Sequence, residues 1–516
     1  MRASGILLHI SSLPSPHGIG TMGAAAKDFV DFLVKAGQAY WQILPVCPTS
    51  YGDSPYQSFS TFAGNPYFID LDLLAKVGLL QPEEYESIDW ESTPGCVNYG
   101  ALYQKRYAVL HKACARLLAA PPVDYADFLA KNAFWLPDYA LFMALKDAHN
   151  GVCWQQWEEP LRRREPETLA AARAKYAADI DFWQAVQYLF YTQWHDLKAY
   201  ANAQGIEIIG DLPIYVAEDS VDVWSCPQEF QLDENLVPTE VAGCPPDGFS
   251  ATGQLWGNPL FDWDAMAANG YAWWVRRIRH LCGIYDVLRI DHFRGFAGYY
   301  AIPYGDKTAE NGRWRTGPGY ALFAAVKKEL GSPRIIAEDL GFLTDDVRAL
   351  LKECAYPGMK VLEFAFDSRD GGDYRPHSYP TNCIAYTGTH DNEPVDGWFG
   401  TALPDDIERA IQYLNLTKEE GMNWGMMRGI WSSVADLAVV QAQDVLGLGH
   451  EARMNTPATL GGNWCWRALP GAFTPELAQK LHDAMELYGR LPEEPAAEPD
   501  ETEKSEDAEK AAEPKT

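Results

Sequence analysis

The chain carries the run LRIDHFRG at residues 288–295, a short apolar segment that ends in a carboxylate between two arginines. The segment is too short for a helix, and its apolar residues predict a buried parallel strand that ends at Asp291. The charges of Arg289 and Arg294 are expected to favour the ionised form of this aspartate, which makes Asp291 a candidate nucleophile. The alternative is an Arg-Asp pair that only ties the strand end to the next loop. Acids at other strand ends favour the first interpretation.

Seven further segments have the length and composition of buried strands. With the first, they predict strands over 5–10, 40–44, 206–210, 287–290, 334–337, 361–364, 384–387 and 437–441. Apolar residues at helical spacing over 24–36 separate the first two strands, so the chain begins with a βαβ unit. Acids follow the third, fifth and seventh strands, at Asp211, Glu338 and Asp391.

Eight strands, helices between most of them and acids at their carboxyl ends predict one fold class. This is the α/β class, as a (β/α)8 TIM barrel with its active site on the C-terminal face. The alternative is a doubly wound open sheet, but no glycine-rich phosphate turn follows the first strand.

Changes of pattern along the chain predict its organisation. The catalytic barrel is expected to span residues 1–490 and to contain a mainly helical insertion over 75–204, where apolar residues recur three and four apart. The connection over 219–259 combines turn formers with aromatic residues, which predicts a long active-site loop acting as a lid. Residues 492–516 are mostly Glu, Ala, Pro and Lys, and we expect a disordered acidic tail that activity does not need.

Composition limits the partners. The formal charge of −29 over 516 residues argues against nucleic acid and anionic membranes, because both require a basic surface. Aromatic residues make up 13% of the chain, and their flat faces suit stacking against sugar rings, although an aromatic-rich core is an equally open explanation.

The ten cysteines are scattered without a CxxC pair, which is typical of reduced thiols in a cytoplasmic protein and predicts no metal cluster. No segment reaches the roughly 18 apolar residues that cross a bilayer, so we expect no membrane partner.

The carboxylates are the remaining candidates for chemistry. The sequence has no GxSxG elbow, HExxH helix or Walker loop. Two carboxyls across a barrel mouth cleave a glycosidic bond, and a separation of about 5 to 5.5 Å gives retention through a covalent glycosyl-enzyme. We expect Asp291 to attack the anomeric carbon and Glu338 to protonate the leaving oxygen, because apolar neighbours raise the pKa of Glu338. Asp391, next to His390, would bind sugar hydroxyls and favour the distorted ring.

Several motifs resemble glycoside hydrolase family 77, the 4-α-glucanotransferases, also called amylomaltases or disproportionating enzymes, of the α-amylase clan. The resemblance covers roughly residues 4 to 490. It is carried by SGILLHISSLPSPHGIG (4–20), SPYQSFSTFAGNPYFIDLD (54–72), GDLPIYVAEDSVDVW (210–224), PPDGFSATGQLWGNP (245–259), LRIDHFRGF (288–296), AEDLG (337–341) and YTGTHDN (386–392). The resemblance implies a barrel with inserted helical subdomains and no C-terminal β-domain.

The resemblance also implies residue roles. Asp291 would be the nucleophile, Glu338 the acid/base and Asp391 the transition-state stabiliser, in a retaining double displacement without cofactor or metal. The expected substrate-binding residues are Tyr56, Asp211, Trp256, Arg289, His292 and His390.

The implied activity is transfer of α-1,4-glucan segments between malto-oligosaccharides or starch chains, with glucose as an acceptor or product. Two alternatives stay open at this point: an α-glucan hydrolase using the same residues, and a glucan-binding protein without catalytic activity.

Overall fold

The fold is taken from a computed structural model that describes residues 2–50, 52–246, 250–341, 343–369 and 374–493. The strands in this part of the chain are β1 (Ala3–Leu7), β2 (Tyr40–Gln42), β3 (Glu207–Leu212), β4 (Glu240–Cys244), β5 (Gln254–Pro259), β6 (Val287–Ile290), β7 (Gly298–Pro303), β8 (Arg313–Thr316), β9 (Ile335–Ala337), β10 (Gly358–Val361), β11 (Cys383–Tyr386) and β12 (Leu437–Gln441).

The α-helices are α1 (Ala24–Lys35), α2 (Leu71–Lys76), α3 (Tyr99–Ala119), α4 (Tyr125–Lys131), α5 (Leu136–Ala148), α6 (Glu159–Arg162), α7 (Pro166–Lys175), α8 (Ala177–Ala203), α9 (Val221–Ser225), α10 (Trp263–Ala268), α11 (Ala272–Ile284), α12 (Tyr320–Leu330), α13 (Asp345–Cys354), α14 (Val395–Thr401), α15 (Pro404–Leu414), α16 (Met422–Trp431), α17 (Ala442–Val445) and α18 (Pro475–Leu487).

Eight strands form one parallel sheet in the order β10-β11-β12-β1-β2-β3-β6-β9. The two ends of this sheet meet where the Ala337 N–H, at the end of β9, donates to the Pro357 carbonyl just before β10, at 2.9 Å. Strands β6 and β12 are buried along their whole length, as expected for strands covered by helices on the outside and side chains within. The predicted (β/α)8 barrel is therefore confirmed.

The helices α2 to α8 lie between β2 and β3, and α3 to α8 fall within 75–204, the range predicted as a helical insertion. Helices α7 and α8 are separated at Tyr176, whose φ of −107° and ψ of 26° leave the helical region. Helix α8 packs against α3 and α5. Its Trp194 Nε1 donates to the Ile284 carbonyl at 3.1 Å, which ties the inserted helices to the barrel.

A second, antiparallel sheet in the order β5-β4-β7-β8 lies beside the barrel. Its first two strands, together with α9, fall within 219–259, so the connection predicted as a loop is partly regular in structure. Local sequence did not predict these strands because β4 pairs with β7, which follows β6 and Asp291 in the chain. Residues 247–249 of this predicted loop lie outside the described residues.

The chain returns to the start of the barrel after β12. Helix α18 begins after Thr474, whose side chain accepts from the Leu477 N–H, and it packs against α1. No strand follows β12 within residues 442–493, the last part of the chain that the structure describes. Of the tail predicted over 492–516, the residues from 494 onward lie outside the described part. Across the described ranges, no helix has the length and apolarity needed to span a membrane.

Candidate active site

Asp291 and Glu338 start from adjacent positions at the barrel's C-terminal face. They directly follow Ile290 and Ala337, which are register partners in β6 and β9. The Asp291 N–H donates to the Leu212 carbonyl at 2.9 Å, and the Glu338 N–H donates to the Ile290 carbonyl at 3.0 Å. Neighbouring strands lie about 4.8 Å apart, so the sheet brings these two acids together as the sequence predicts.

Arg289 joins Asp211 and Asp291. Its Nη1 donates to Asp211 Oδ2 at 2.6 Å and to Asp291 Oδ1 at 3.1 Å. Arg289 and Asp211 face each other because they are register partners in β6 and β3. Both are almost fully buried, at 3% and 2% exposure, so this ion pair is shielded from water. The other arginine of the motif, Arg294, lies over the Trp314 ring, 4.1 Å from its centroid.

The pKa of Asp291 is shifted in the direction opposite to the expectation. We expected the arginines to hold this carboxylate in its ionised form. Burial raises the pKa of Asp291 well above its usual value, the carboxylates of Asp211, Glu338 and Asp391 add to the rise, and Arg289 opposes it. One guanidinium cannot offset the desolvation of several acids in one cavity. Asp291 therefore keeps its proton to a higher pH than an exposed aspartate does.

Glu338 is fixed by backbone donors. Its Oε2 accepts from the His292 N–H at 2.7 Å, and its Oε1 accepts from the Leu340 N–H at 2.8 Å. Burial raises the pKa of Glu338 above its usual value, the direction that the apolar strand predicts, and Arg289 opposes it. His292 has a φ of 51°, a left-handed conformation that turns its N–H toward Glu338. The Trp256 ring meets the His292 ring edge to face, with centroids 4.8 Å apart.

Tyr56 and His390 form one wall of the site. Their rings stack with centroids 5.0 Å apart and an interplanar angle of 14°. The Tyr56 hydroxyl donates to Asp211 Oδ2 at 2.7 Å, and His390 Nε2 lies 3.3 Å from Asp391 Oδ1. Burial lowers the pKa of His390, so its ring is neutral at pH 7 and can both donate and accept a hydrogen bond. The Asp391 side chain is 46% exposed, compared with 29% for Asp291.

Two residues of this region were missed by the sequence analysis. Asn455 Nδ2 donates to Asp391 Oδ1 at 2.6 Å. The Trp464 ring lies beside both Tyr56 and His390, with centroid distances of 5.7 and 5.8 Å. Both residues lie in the irregular segment after β12, where neither periodicity nor an acidic strand end marks a functional residue. Their contacts with Asp391, Tyr56 and His390 in the folded chain identify them.

The cluster offers paired carboxyls for acid chemistry. Within the described residues, no group of three or more His, Cys, Asp or Glu side chains could hold a metal ion. Burial raises the pKa values of Asp291 and Glu338, and a raised pKa lets a carboxyl deliver a proton as a general acid. Fold and cluster together define the class of (β/α)8 enzymes with acids at the strand ends.

Comparisons with known proteins identify the family within this class. The family model described as 4-alpha-glucanotransferase matches residues 8–471. A 4-alpha-glucanotransferase from Clostridium butyricum is 50% identical over 485 residues, which cover 94% of this chain and 100% of that protein. The 4-alpha-glucanotransferase of Thermus thermophilus is 47% identical over 501 residues, covering 95% and 99% of the two chains.

Solved structures agree with this assignment. The amylomaltase from Streptococcus agalactiae, solved in complex with acarbose, superimposes with a TM-score of 0.93 at 42% identity and covers 95% of this chain and 100% of that one. The chain belongs to the 4-alpha-glucanotransferase family. It is a glucan-transferring enzyme on a (β/α)8 barrel.

Proposed function

We propose that the chain transfers α-1,4-glucan segments between malto-oligosaccharides or starch chains by a retaining double displacement. Asp291 is the nucleophile, Glu338 the general acid and base, and Asp391 the stabiliser of the transition state. The observation that carries this proposal is the pairing of the two strand ends: the N–H of His292, directly after Asp291, donates to Glu338 at 2.7 Å. The two carboxyls therefore approach one small volume, as a retaining pair requires.

In the first step, a carboxylate oxygen of Asp291 attacks the anomeric carbon of the donor. The bond to the leaving glycosidic oxygen breaks, and Glu338 gives its proton to that oxygen. Burial raises the pKa of Glu338, which keeps its proton in place until this moment. The attacking form of Asp291 is the carboxylate, and the Arg289 guanidinium favours that form by opposing the rise in pKa that burial causes. The products are a shortened glucan with a free 4-hydroxyl and a glycosyl ester on Asp291.

In the second step, the 4-hydroxyl of an acceptor attacks the same carbon. Glu338, now ionised, takes the hydroxyl proton while the ester bond to Asp291 breaks and releases the carboxylate. Malto-oligosaccharides and glucose are the proposed acceptors, and glucose is also the shortest product. Water at the same position would give hydrolysis, so exclusion of water and positioning of the acceptor decide between the outcomes.

The remaining site residues bind the sugar at the point of cleavage. Asp211 Oδ1 is buried and has no hydrogen-bond partner among the described residues, so it is available to a sugar hydroxyl. Tyr56 and His390 provide a flat wall, and His390 and Asp391 accept or donate to further hydroxyls. Trp256, with His292 beneath its edge, is proposed to contact the glucan and to limit the entry of water.

Maltotriose as the sole substrate tests the activity. Transfer redistributes chain lengths without new reducing ends, whereas hydrolysis increases the number of reducing ends. We expect glucose and longer oligosaccharides with a nearly constant number of reducing ends. A rise of reducing ends that matches the loss of maltotriose would overturn the transfer proposal.

The roles are tested by Asp291→Asn, which should abolish turnover while maltotriose still binds. The matched control is Asp345→Asn, since Asp345 is fully exposed on α13 with a side-chain exposure of 104%. If Asp291→Asn turns over at the wild-type rate, Asp291 is not the nucleophile.

We also propose a reducing, cytoplasm-like compartment for the chain, because all ten cysteines are free. Cell fractionation tests this, and recovery with extracellular material would contradict it.

A further inference from the structure

Arg453 holds the segment around Asp391 through three separate donors. Its Nη2 donates to the Asp391 carbonyl at 2.6 Å, and its Nε donates to the Asn455 carbonyl at 2.8 Å. Its Nη1 donates to Glu393 Oε1 at 2.6 Å. A planar guanidinium that is bound on three sides has one orientation, so Arg453 fixes the distance between the two backbone segments it joins.

Those two segments present the Asp391 carboxylate. Asn455, held by Arg453 through its carbonyl, donates its Nδ2 to Asp391 Oδ1 at 2.6 Å. Its N–H donates to the His390 carbonyl at 3.1 Å. The Asp391 side chain is 46% exposed, so the surrounding core does not hold it by packing. Its direction is therefore set by the turn it stands on and by two side chains, Asn455 and His390, whose Nε2 lies 3.3 Å from the same Oδ1.

Glu393 holds the guanidinium from the other side. Its side chain is 9% exposed and accepts from His450 Nδ1 at 3.0 Å as well as from Arg453. Loss of the Arg453 charge would leave a nearly buried carboxylate whose remaining partner among the described residues is His450. The three residues Glu393, Arg453 and Asn455 therefore form a continuous brace behind Asp391.

We propose that Arg453, oriented by Glu393, is a positioning residue that aims the Asp391 carboxylate, through Asn455, at the sugar in the transition state. The inference rests on the proposed role of Asp391. Arg453 itself does not contact the reacting atoms. Because a misdirected stabiliser weakens the transition state more than the bound substrate, loss of the brace lowers kcat and leaves KM nearly unchanged.

The variant Arg453→Lys tests the proposal, because lysine keeps the charge but cannot satisfy three partners in a plane. We expect kcat to fall by about 10²-fold, as for other misplacements of about 1 Å, with KM within about twofold of the wild type. The matched control is Arg428→Lys. Arg428 makes the same kind of contacts, to Glu420 at 2.6 and 2.9 Å and to the Leu414 carbonyl at 2.9 Å, but away from the site.

A double-variant cycle separates positioning from a general structural role. Rates are measured with an activated maltosyl fluoride donor, so that slow variants remain measurable. If Arg453 acts through Asp391, the variant Arg453→Lys/Asp391→Asn is no slower than Asp391→Asn alone. Full additivity of the two losses would overturn the inference, as would equal losses in Arg453→Lys and Arg428→Lys.

The outcomes also separate this inference from the proposed function. If Asp391→Asn turns over slowly but Arg453→Lys turns over at the wild-type rate, the positioning role of Arg453 is wrong and the role of Asp391 stands. If Asp391→Asn turns over at the wild-type rate, the proposed role of Asp391 is wrong, and so is the positioning role of Arg453 that depends on it. Restoration of an Arg453→Ala variant by free guanidinium, without restoration of Arg428→Ala, would support the brace directly.

Discussion

Arg289 Nη1 lies 2.6 Å from Asp211 Oδ2, and this ion pair is buried at the ends of two neighbouring barrel strands. The same nitrogen also donates to Asp291 at 3.1 Å, so one positive charge faces two carboxylates. The pKa of Arg289 is raised well above its usual value by these acids despite its burial, and it stays charged at every pH at which the fold exists. The guanidinium therefore limits how far the pKa of Asp291 rises.

The variant Arg289→Gln removes that charge and should raise the pKa of Asp291 further. Since the attacking form of Asp291 is the carboxylate, the acid limb of the profile of kcat/KM against pH moves to higher pH. The variant should also lose about 3 to 5 kcal/mol of stability, because the buried Asp211 would lose its cationic partner and keep the Tyr56 hydroxyl as donor. A pH series on maltotriose and urea unfolding measure the two effects. An unmoved acid limb in a folded variant would show that Arg289 does not control Asp291.

The variant Tyr56→Phe removes the donor to Asp211 Oδ2 and keeps the ring that stacks on His390. The lost bond is one to a charged group, so we expect a stability loss of about 1.5 to 3 kcal/mol, although Asp211 retains Arg289 as its partner. The proposed sugar-binding role predicts in addition a fall in kcat/KM of about fivefold, because a hydrogen bond to a neutral sugar hydroxyl contributes about 1 kcal/mol. Steady-state kinetics and urea unfolding on one preparation test it, and an unchanged kcat/KM in a folded variant would assign Tyr56 to the fold alone.

Local patterns predicted the barrel strands well. The strand at Leu437–Gln441 has the predicted bounds, because a continuous apolar run between turns is sufficient evidence for a buried parallel strand. The sixth strand is shifted: it spans Gly358–Val361 and the predicted 361–364 is largely the short 3-10 turn Leu362–Ala365, which is equally apolar. Helices α10 and α11 are separate because Tyr271, between them, adopts a left-handed φ of 57° that no local pattern indicates.

Long-range contacts could not be predicted in the same way. The antiparallel sheet forms because β4 pairs with β7, and the local sequence of neither strand indicates which strand it pairs with. The acids at the strand ends could be grouped because parallel strands end at one face. Asn455 could not be assigned to this group from the sequence, because its hydrogen bond to Asp391 depends on how an irregular segment folds back over the barrel.

The variant Trp256→Ala should raise hydrolysis relative to transfer. The indole covers the edge of His292, which in turn donates to Glu338, so its loss opens this side of the site to water. The measurement is the ratio of new reducing ends to redistributed chains during maltotriose turnover. The control is Leu255→Ala, since successive residues of β5 point to opposite faces and Leu255 is 38% exposed. An unchanged ratio in Trp256→Ala would remove this tryptophan from the control of water.

Asp444 allows a stability prediction with a defined sign. It is fully buried behind the β12 end, where its carboxyl accepts from the Thr387 hydroxyl at 2.5 Å and from the Val395 N–H at 2.7 Å. Burial raises the pKa of Asp444 from 3.8 to about 7. Between these two pH values the folded chain keeps a proton that the unfolded chain has released. The stability that this group contributes therefore falls as pH rises through that window and does not fall further above it.

The variant Asp444→Asn carries no titrating proton and can keep both hydrogen bonds, because its amide oxygen accepts from Val395 and its NH₂ donates to Thr387. Its stability relative to the wild type should therefore increase from pH 4 to pH 8, by about 1.4 kcal/mol for each unit of the pKa difference. Urea unfolding at both pH values measures this, with the exposed Asp345→Asn as the control that should show no such trend. If the difference between Asp444→Asn and the wild type is the same at both pH values, Asp444 is ionised in the fold and its burial is offset by these two donors.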